Sequence, residues 1–117
     1  LFHNLKTAEE SGVVVDELNA MGGAANSKLW TQIKADVTGK IINVPASDTA
    51  TALGAAILAG VGTGEYKSFE KAVAGMIRIR RIHEPDIKAH EIYMKYYEIY
   101  IEIYEKLKET MQKVSTI

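Results

Sequence analysis

The spacing of apolar and polar positions changes several times along the 117 residues. Leu1, Phe2, Leu5 and Ala8 recur at helical intervals, Glu9 and Glu10 are polar, and Gly12 is placed to end that helix in a left-handed conformation. "VVVDELNAM" then predicts one strand near residues 17 to 21, with an extended lead-in. A turn at Gly22 and Gly23 opens "SKLWTQIKADVTG", where Leu29, Trp30, Ile33 and Val37 share a helical face, Ser27 is the N-cap and Gly39 the stop. "KIINVP" predicts a short strand closed by Pro45, which has no N–H to give a central ladder.

The second half of the pattern is helical. "DTATALGAAILAGVG" predicts a helix starting at Ser47 or Asp48, whose Ala52, Gly54, Ala55, Ala56 and Ala59 permit close approach of a neighbour. Glycine inside a helix costs roughly 1 kcal/mol relative to alanine, so Gly54 implies a packing reason. "KSFEKAVAGMI" predicts a shorter helix capped by Ser68, and "RIRRIHEP" reads as an extended connector, with Glu84 held out of helix by Pro85. From Pro85, expected in the first turn, to about Ser115 the chain predicts one long helix. Ile92, Tyr96, Ile99, Ile103, Leu107, Met111 and Val114 form its apolar stripe, and Tyr93, Tyr97, Tyr100 and Tyr104 a second stripe beside it. Glu91–Lys95, Glu102–Lys106 and Glu109–Lys113 are i,i+4 pairs in the favourable orientation.

Two strands do not make a viable sheet by themselves. Either the helices carry the fold, or partner strands lie in a longer protein. A chain that opens on Leu1, in the last turns of a helix, points to the second alternative.

Charge and composition narrow the function classes. Fourteen basic residues against fifteen acidic ones give a net charge of -1, without the basic excess expected of a nucleic-acid or anionic-membrane surface. There is no cysteine, so disulfides and thiolate metal sites are excluded. No apolar run is long enough for a membrane span, and "LFHNLKTAEESG" lacks the order of a signal peptide, so a cytoplasmic location is expected.

Candidate chemistry is sparse. A strand, then glycines, then a helix start exposes backbone N–H groups at the positive end of a helix dipole, where phosphate or ribose can approach. A tight turn needing positive φ is the commoner use of Gly-Gly. "GVGTGEYKS" does not qualify as a phosphate loop, because Tyr66 stands before Lys67 and the glycines follow a helix. His3, His83 and His90 are scattered, and they read as solvated or core histidines. "RIRR", Arg78 to Arg81, reads as a solvated edge, and the tyrosine stripe as a packing face. Ser47 and Asp48 are neighbours with no predicted histidine nearby, so no nucleophile–base set is visible. No catalytic and no metal-ligating residue is assigned.

The order and spacing of "MGGAANSKLWTQIKADVTGKIINVP", "SDTATALGAAILAGVGTGEY" and "HEPDIKAHEIYMKYYEIYIEIYEKL" resemble the C-terminal segment of the FGGY carbohydrate kinases, in the branch that includes xylulokinase and gluconokinase. That resemblance implies an α/β fold: the C-terminal part of an actin-like, ribonuclease H-like ATPase domain, helix-rich, with a few strands and a long final helix. It also implies an ATP-dependent sugar kinase whose catalytic aspartate, sugar-binding residues and most phosphate loops lie in an N-terminal domain that residues 1–117 do not include. The family's G-G-G-A-x-S-x-L-W-x-Q block falls on Gly22, Gly23, Ala24, Ala25, Asn26, Ser27, Leu29, Trp30 and Gln32. By resemblance Gly22, Gly23, Ala24, Asn26 and Ser27 contact the adenine nucleotide, while Trp30 and Gln32 pack and orient. Ala24 departs from the third glycine of the pattern.

ATP and Mg²⁺ are the expected cofactors of the parent enzyme. A sugar, reached through the other domain, is the expected substrate, and the isolated chain is expected to be inactive. The rival reading is a non-enzymatic helical module that pairs through its C-terminal helix, as in a homodimer.

Overall fold

A computed structural model describes residues 1–47 and 49–116. It contains α1 (Phe2–Glu10), β1 (Glu17–Asn19), a 3-10 turn (Gly23–Asn26), α2 (Lys28–Thr38), β2 (Ile41–Pro45), α3 (Ala50–Gly62), α4 (Phe69–Met76), β3 (Ile79–His83) and α5 (Ile87–Ser115). The strands form one sheet in the order β1-β2-β3. β1 and β2 are parallel, joined through α2, and β3 runs antiparallel to β2.

β3 is the element that the sequence pattern does not predict: "IRRIH" is a strand and not a connector. Its residues lack a clean period-two alternation, and it is held by pairing Asn43 with Ile82 and Val44 with Arg81. Pro45 sits at the end of β2, at a register irregularity next to Val44, and its missing donor interrupts no central ladder there. The long helix starts slightly later than expected: Asp86, not Pro85, opens it, its Oδ1 accepting from the N–H groups of Lys88 and Ala89. Ser27, Ser68 and Gly39 take the cap positions that the sequence predicts. Gly12 has φ +90° and follows the last turn of α1. The helix expected from Ser47 or Asp48 begins at Ala50; Asp48 lies outside the described residues.

The core is narrow. Ala35, Ile42, Val44 and Ala72 are fully buried, with Thr31 and Thr38 beside them. α2 therefore packs through its small residues Thr31, Ala35 and Thr38, and the larger Leu29 and Trp30 face outward, the reverse of the expected apolar face. Small side chains bring the helix axis close to the sheet; the bulkier ones have no partner on that side.

On α5 the expected apolar stripe is likewise uncovered. Phe2 meets Tyr97 edge-on at 4.8 Å between ring centroids, and Tyr97 Oη bonds His3 Nδ1 at 2.9 Å. Tyr93 and Tyr97 are half-buried, whereas Tyr100 and Tyr104 further along are exposed, as are Ile92, Ile99, Ile103, Leu107, Met111 and Val114. On α3, Gly54 has no atom within 4 Å of where a Cβ would stand, so the packing reason expected for it is absent among the described residues. Gly60 and Gly75 fill that role: a Cβ on either would stand 2.9 and 3.3 Å from the Tyr66 ring, which wedges between α3 and α4.

The accessible surface is 8537 Å², against about 6,300 Å² for a compact monomer of this mass. The radius of gyration is 18.8 Å, against about 13 Å for a compact domain of this length. Among the described residues α3 and α5 bury no residue fully. Much of the chain's apolar side-chain surface is therefore exposed.

Candidate functional site

β1 ends at Asn19 and the chain turns through Gly22, whose φ of 82° and ψ of 179° lie where only glycine is at ease. The 3-10 turn follows, with the Ala25 N–H donating to Gly22 O at 2.9 Å. Ala25 is buried, 3% exposed, and anchors the turn; Gly23, Ala24, Asn26 and Ser27 around it are exposed. Ser27 Oγ accepts from the Trp30 N–H at 3.2 Å and so caps α2. The five residues singled out by the sequence thus sit together in one turn at the N-terminus of an eleven-residue helix.

Open space surrounds the glycines. An added Cβ on Gly22 or Gly23 would meet no atom within 4 Å. Among the described residues the N–H groups of Gly22, Gly23 and Ala24 make no backbone hydrogen bond outside regular elements. Bare amides at a helix N-terminus favour an anion or a polar ligand edge. β1 and β2 are parallel, so their carboxyl ends open on the same edge of the sheet. There a cleft of about 270 Å³ lies between Pro45, Ser47, Leu53, Met76 and Arg78. A larger cleft, about 680 Å³, is formed where α1 crosses α5, beside Phe2, Lys6, Met94 and Tyr97, and shares no residue with the turn.

The sequence reading missed what holds the turn in place. Arg80 Nη2 donates to Asn26 Oδ1 at 2.7 Å, Arg81 Nη1 to Asn26 O at 3.3 Å, and Arg81 Nη2 to Ala25 O. Ile79 to Arg81 of "RIRR" therefore belong to β3, and Arg80 and Arg81 grip the turn. The available signal was three arginines within four residues, but nothing in the sequence places them beside residue 26.

Behind the turn, polar groups join three elements. Gln32 Nε2 donates to Asp36 Oδ1 and to Glu84 O, both at 2.8 Å, which leaves Gln32 Oε1 to accept from His83 Nδ1 at 3.0 Å. Asp36 Oδ1 also accepts the Asp86 N–H at 2.9 Å, and Asp36 O accepts from His90 Nδ1 at 2.8 Å. His83 is held below the usual histidine pKa of 6.5, first by burial and then by the Arg81 cation, with Asp36 opposing; its Nε2 is buried without a hydrogen-bond partner among the described residues. Gln32 thus links α2 to His83 and to the segment that leads into α5. Trp30 is half exposed, with Lys34 Nζ 5.6 Å from its ring centroid.

Among the described residues no group of three histidine, aspartate or glutamate side chains could hold a metal ion. No helix among them is long and apolar enough to cross a membrane.

Residues 1–63 match the FGGY family of carbohydrate kinases, C-terminal domain. The chain belongs to this family. FGGY relatives include the autoinducer-2 kinase of Yersinia enterocolitica, 47% identical over 81 residues, which covers 69% of this chain and 15% of that protein. The autoinducer-2 kinase of Escherichia coli is 42% identical over 85 residues, 73% of this chain and 16% of that protein. The chain thus spans about a sixth of the length of the curated FGGY relatives it matches. Xylulose kinase from Rhodospirillum rubrum superposes with a TM-score of 0.80 at 24% identity, over 94% of this chain and 22% of that one. For ligand-bound xylulose kinase from Lactobacillus acidophilus the TM-score is 0.82 at 21% identity, over 97% and 24%. At these identities the likeness establishes the fold, over nearly the whole chain. The α/β, helix-rich architecture expected from the sequence is the observed one.

Proposed function

We propose that this chain is one wall of the ATP site of a sugar kinase. In this reading residues 1–117 form a single segment of the nucleotide-binding C-terminal domain, and a separate N-terminal domain brings the acceptor. The observation that carries it is the turn Gly22–Ser27: N–H groups of Gly22, Gly23 and Ala24 that make no backbone hydrogen bond outside regular elements among the described residues, open space over both glycines, and the N-terminus of α2 directly behind them. Gly22, Gly23 and Ala24 offer main-chain N–H groups, Asn26 its carboxamide, and Ser27 holds the helix end on which the turn rests.

Phosphoryl transfer depends on positioning and on charge stabilisation around the transferred group. This chain's part is positioning: it fixes the nucleoside end of ATP so that the terminal phosphate meets an acceptor hydroxyl activated elsewhere. Magnesium accompanies the nucleotide and draws its protein ligands from the other domain. The acceptor is a small polyhydroxylated carbohydrate, of the autoinducer-2 kind named for the curated relatives or of the xylulose- or gluconate-like kind implied by the motifs.

The test is ATP titration of the chain followed through Trp30, the single tryptophan and four positions past Asn26, alongside a size measurement. Saturable quenching, with no sugar-dependent ATP hydrolysis by the isolated chain, is the expected result. A dimer without any nucleotide response favours instead a helical module that associates through the exposed α5 stripe.

A further inference from the structure

We infer that Arg80 and Arg81 are positioning residues for nucleotide binding, Arg80 by fixing which end of the Asn26 carboxamide faces the ligand; this rests on the assignment of the Gly22–Ser27 turn as the nucleotide site. Guanidinium groups have donors only. With Arg80 Nη2 2.7 Å from the side-chain oxygen of Asn26, the amide orientation is determined: oxygen toward β3, NH₂ away from it. The turn therefore offers outward a side-chain donor next to the main-chain donors of Gly23 and Ala24. A purine ring nitrogen or a ribose oxygen accepts from such an array, whereas a carboxamide free to rotate would present either end. The charge-assisted bond on the oxygen also polarises the amide, which strengthens the opposite N–H groups as donors.

Arg81 acts one atom layer deeper. Its two terminal nitrogens donate to the carbonyls of Ala25 and Asn26, the last two residues of the 3-10 turn. Each carbonyl bonded to Arg81 has the plane of its peptide unit fixed, so the two bonds hold the end of the 3-10 turn against β3. Both arginines come from a strand whose pairing with β2 is fixed by Asn43–Ile82 and Val44–Arg81, so the grip is built into the sheet register. Arg80 is exposed, and its replacement leaves the buried core intact.

The experiment is a double-mutant cycle in the intact kinase that carries this chain, using Arg80→Met, Asn26→Ala and the pair, with KM for ATP, KM for the acceptor and kcat measured separately. Arg80→Met is expected to raise KM for ATP by about three- to tenfold, the range of one hydrogen bond, with the acceptor KM unchanged. The double variant should be no worse than Asn26→Ala alone, because the arginine acts through that side chain. Arg80→Lys, which keeps a cationic donor group, should recover most of the loss. Full additivity of the two substitutions, or a wild-type KM in Arg80→Met while Asn26→Ala is impaired, overturns the inference and leaves the site assignment standing. If Asn26→Ala itself leaves KM for ATP unchanged, the site assignment fails with it.

Discussion

Replacing Gly22 and Gly23 separately with alanine divides backbone geometry from ligand access. At Gly22 the φ of 82° and ψ of 179° lie in a region that is essentially glycine's, and nothing stands within 4 Å of the added Cβ. The whole cost of Gly22→Ala is therefore backbone strain, about 1–3 kcal/mol. For a chain of this length that corresponds to a fall in melting temperature of about 5–15 °C. Gly23 has no positive φ and equally open surroundings, so Gly23→Ala should leave the fold unharmed. Reduced freedom of the unfolded chain could add about 0.4–1 kcal/mol of stability there. The same methyl group, however, occupies the space assigned to the nucleotide, and a contact of that kind costs about 1–3 kcal/mol, at least about fivefold in KM for ATP. The assays are thermal unfolding of the 117-residue chain by circular dichroism, and ATP kinetics at saturating acceptor in the intact kinase. A Gly23→Ala enzyme of normal stability and normal KM for ATP refutes main-chain approach of the nucleotide at this turn. A Gly22→Ala chain that melts with the parent refutes the strain argument.

Two further outcomes follow from the packing behind the site. Gly39→Ala combines a φ of +66° with a Cβ 3.0–3.3 Å from the His90 ring, whereas Gly12→Ala has a φ of +90° and open space. Urea unfolding should therefore show Gly39→Ala less stable than Gly12→Ala by about 1 kcal/mol, the worth of the His90–Asp36 bond it displaces; equal losses would mean that His90 does not pack there. His83 has a folded-state pKa below its unfolded value of 6.5, so as pH falls below that value the unfolded chain takes up a proton before the folded one does. The contribution of His83 is complete above the unfolded value and is lost as pH falls toward the folded one. Denaturation curves from about pH 7.5 to about pH 5 should show this decline, and His83→Gln should flatten it; an identical decline in that variant would assign the titration to another group.

Local signals in the sequence carried most of the element plan. Ser27, Gly39 and Ser68 act through their own neighbours, and a cap or a left-handed stop is visible within a few residues. Which face of a helix is buried was not visible in the same way. On α2 and α5 the rule that large apolar residues turn inward points at Leu29, Trp30 and Ile99, all exposed here, because the surfaces that would cover them are not supplied by the described residues. β3 was missed for a related reason. Arg80, Arg81 and His83 give it the composition of a solvated loop, and their roles depend on partners more than fifty positions away, Asn26 and Gln32. The turn itself was legible as a glycine–helix junction. Its openness and its grip by β3 are properties of the tertiary fold, which no local pattern encodes.

The docking of α5 through Asp36 has a mechanical consequence. From His90, bonded to Asp36, to Ser115 the helix runs 25 residues, about 37 Å at 1.5 Å per residue. Over that length a tilt of about ten degrees at Asp36 would sweep the far tip by roughly 6 Å. Ser27 caps the other end of α2, so the glycine turn and the base of α5 are joined through α2, with Phe2 and His3 of α1 holding α5 again at Tyr97.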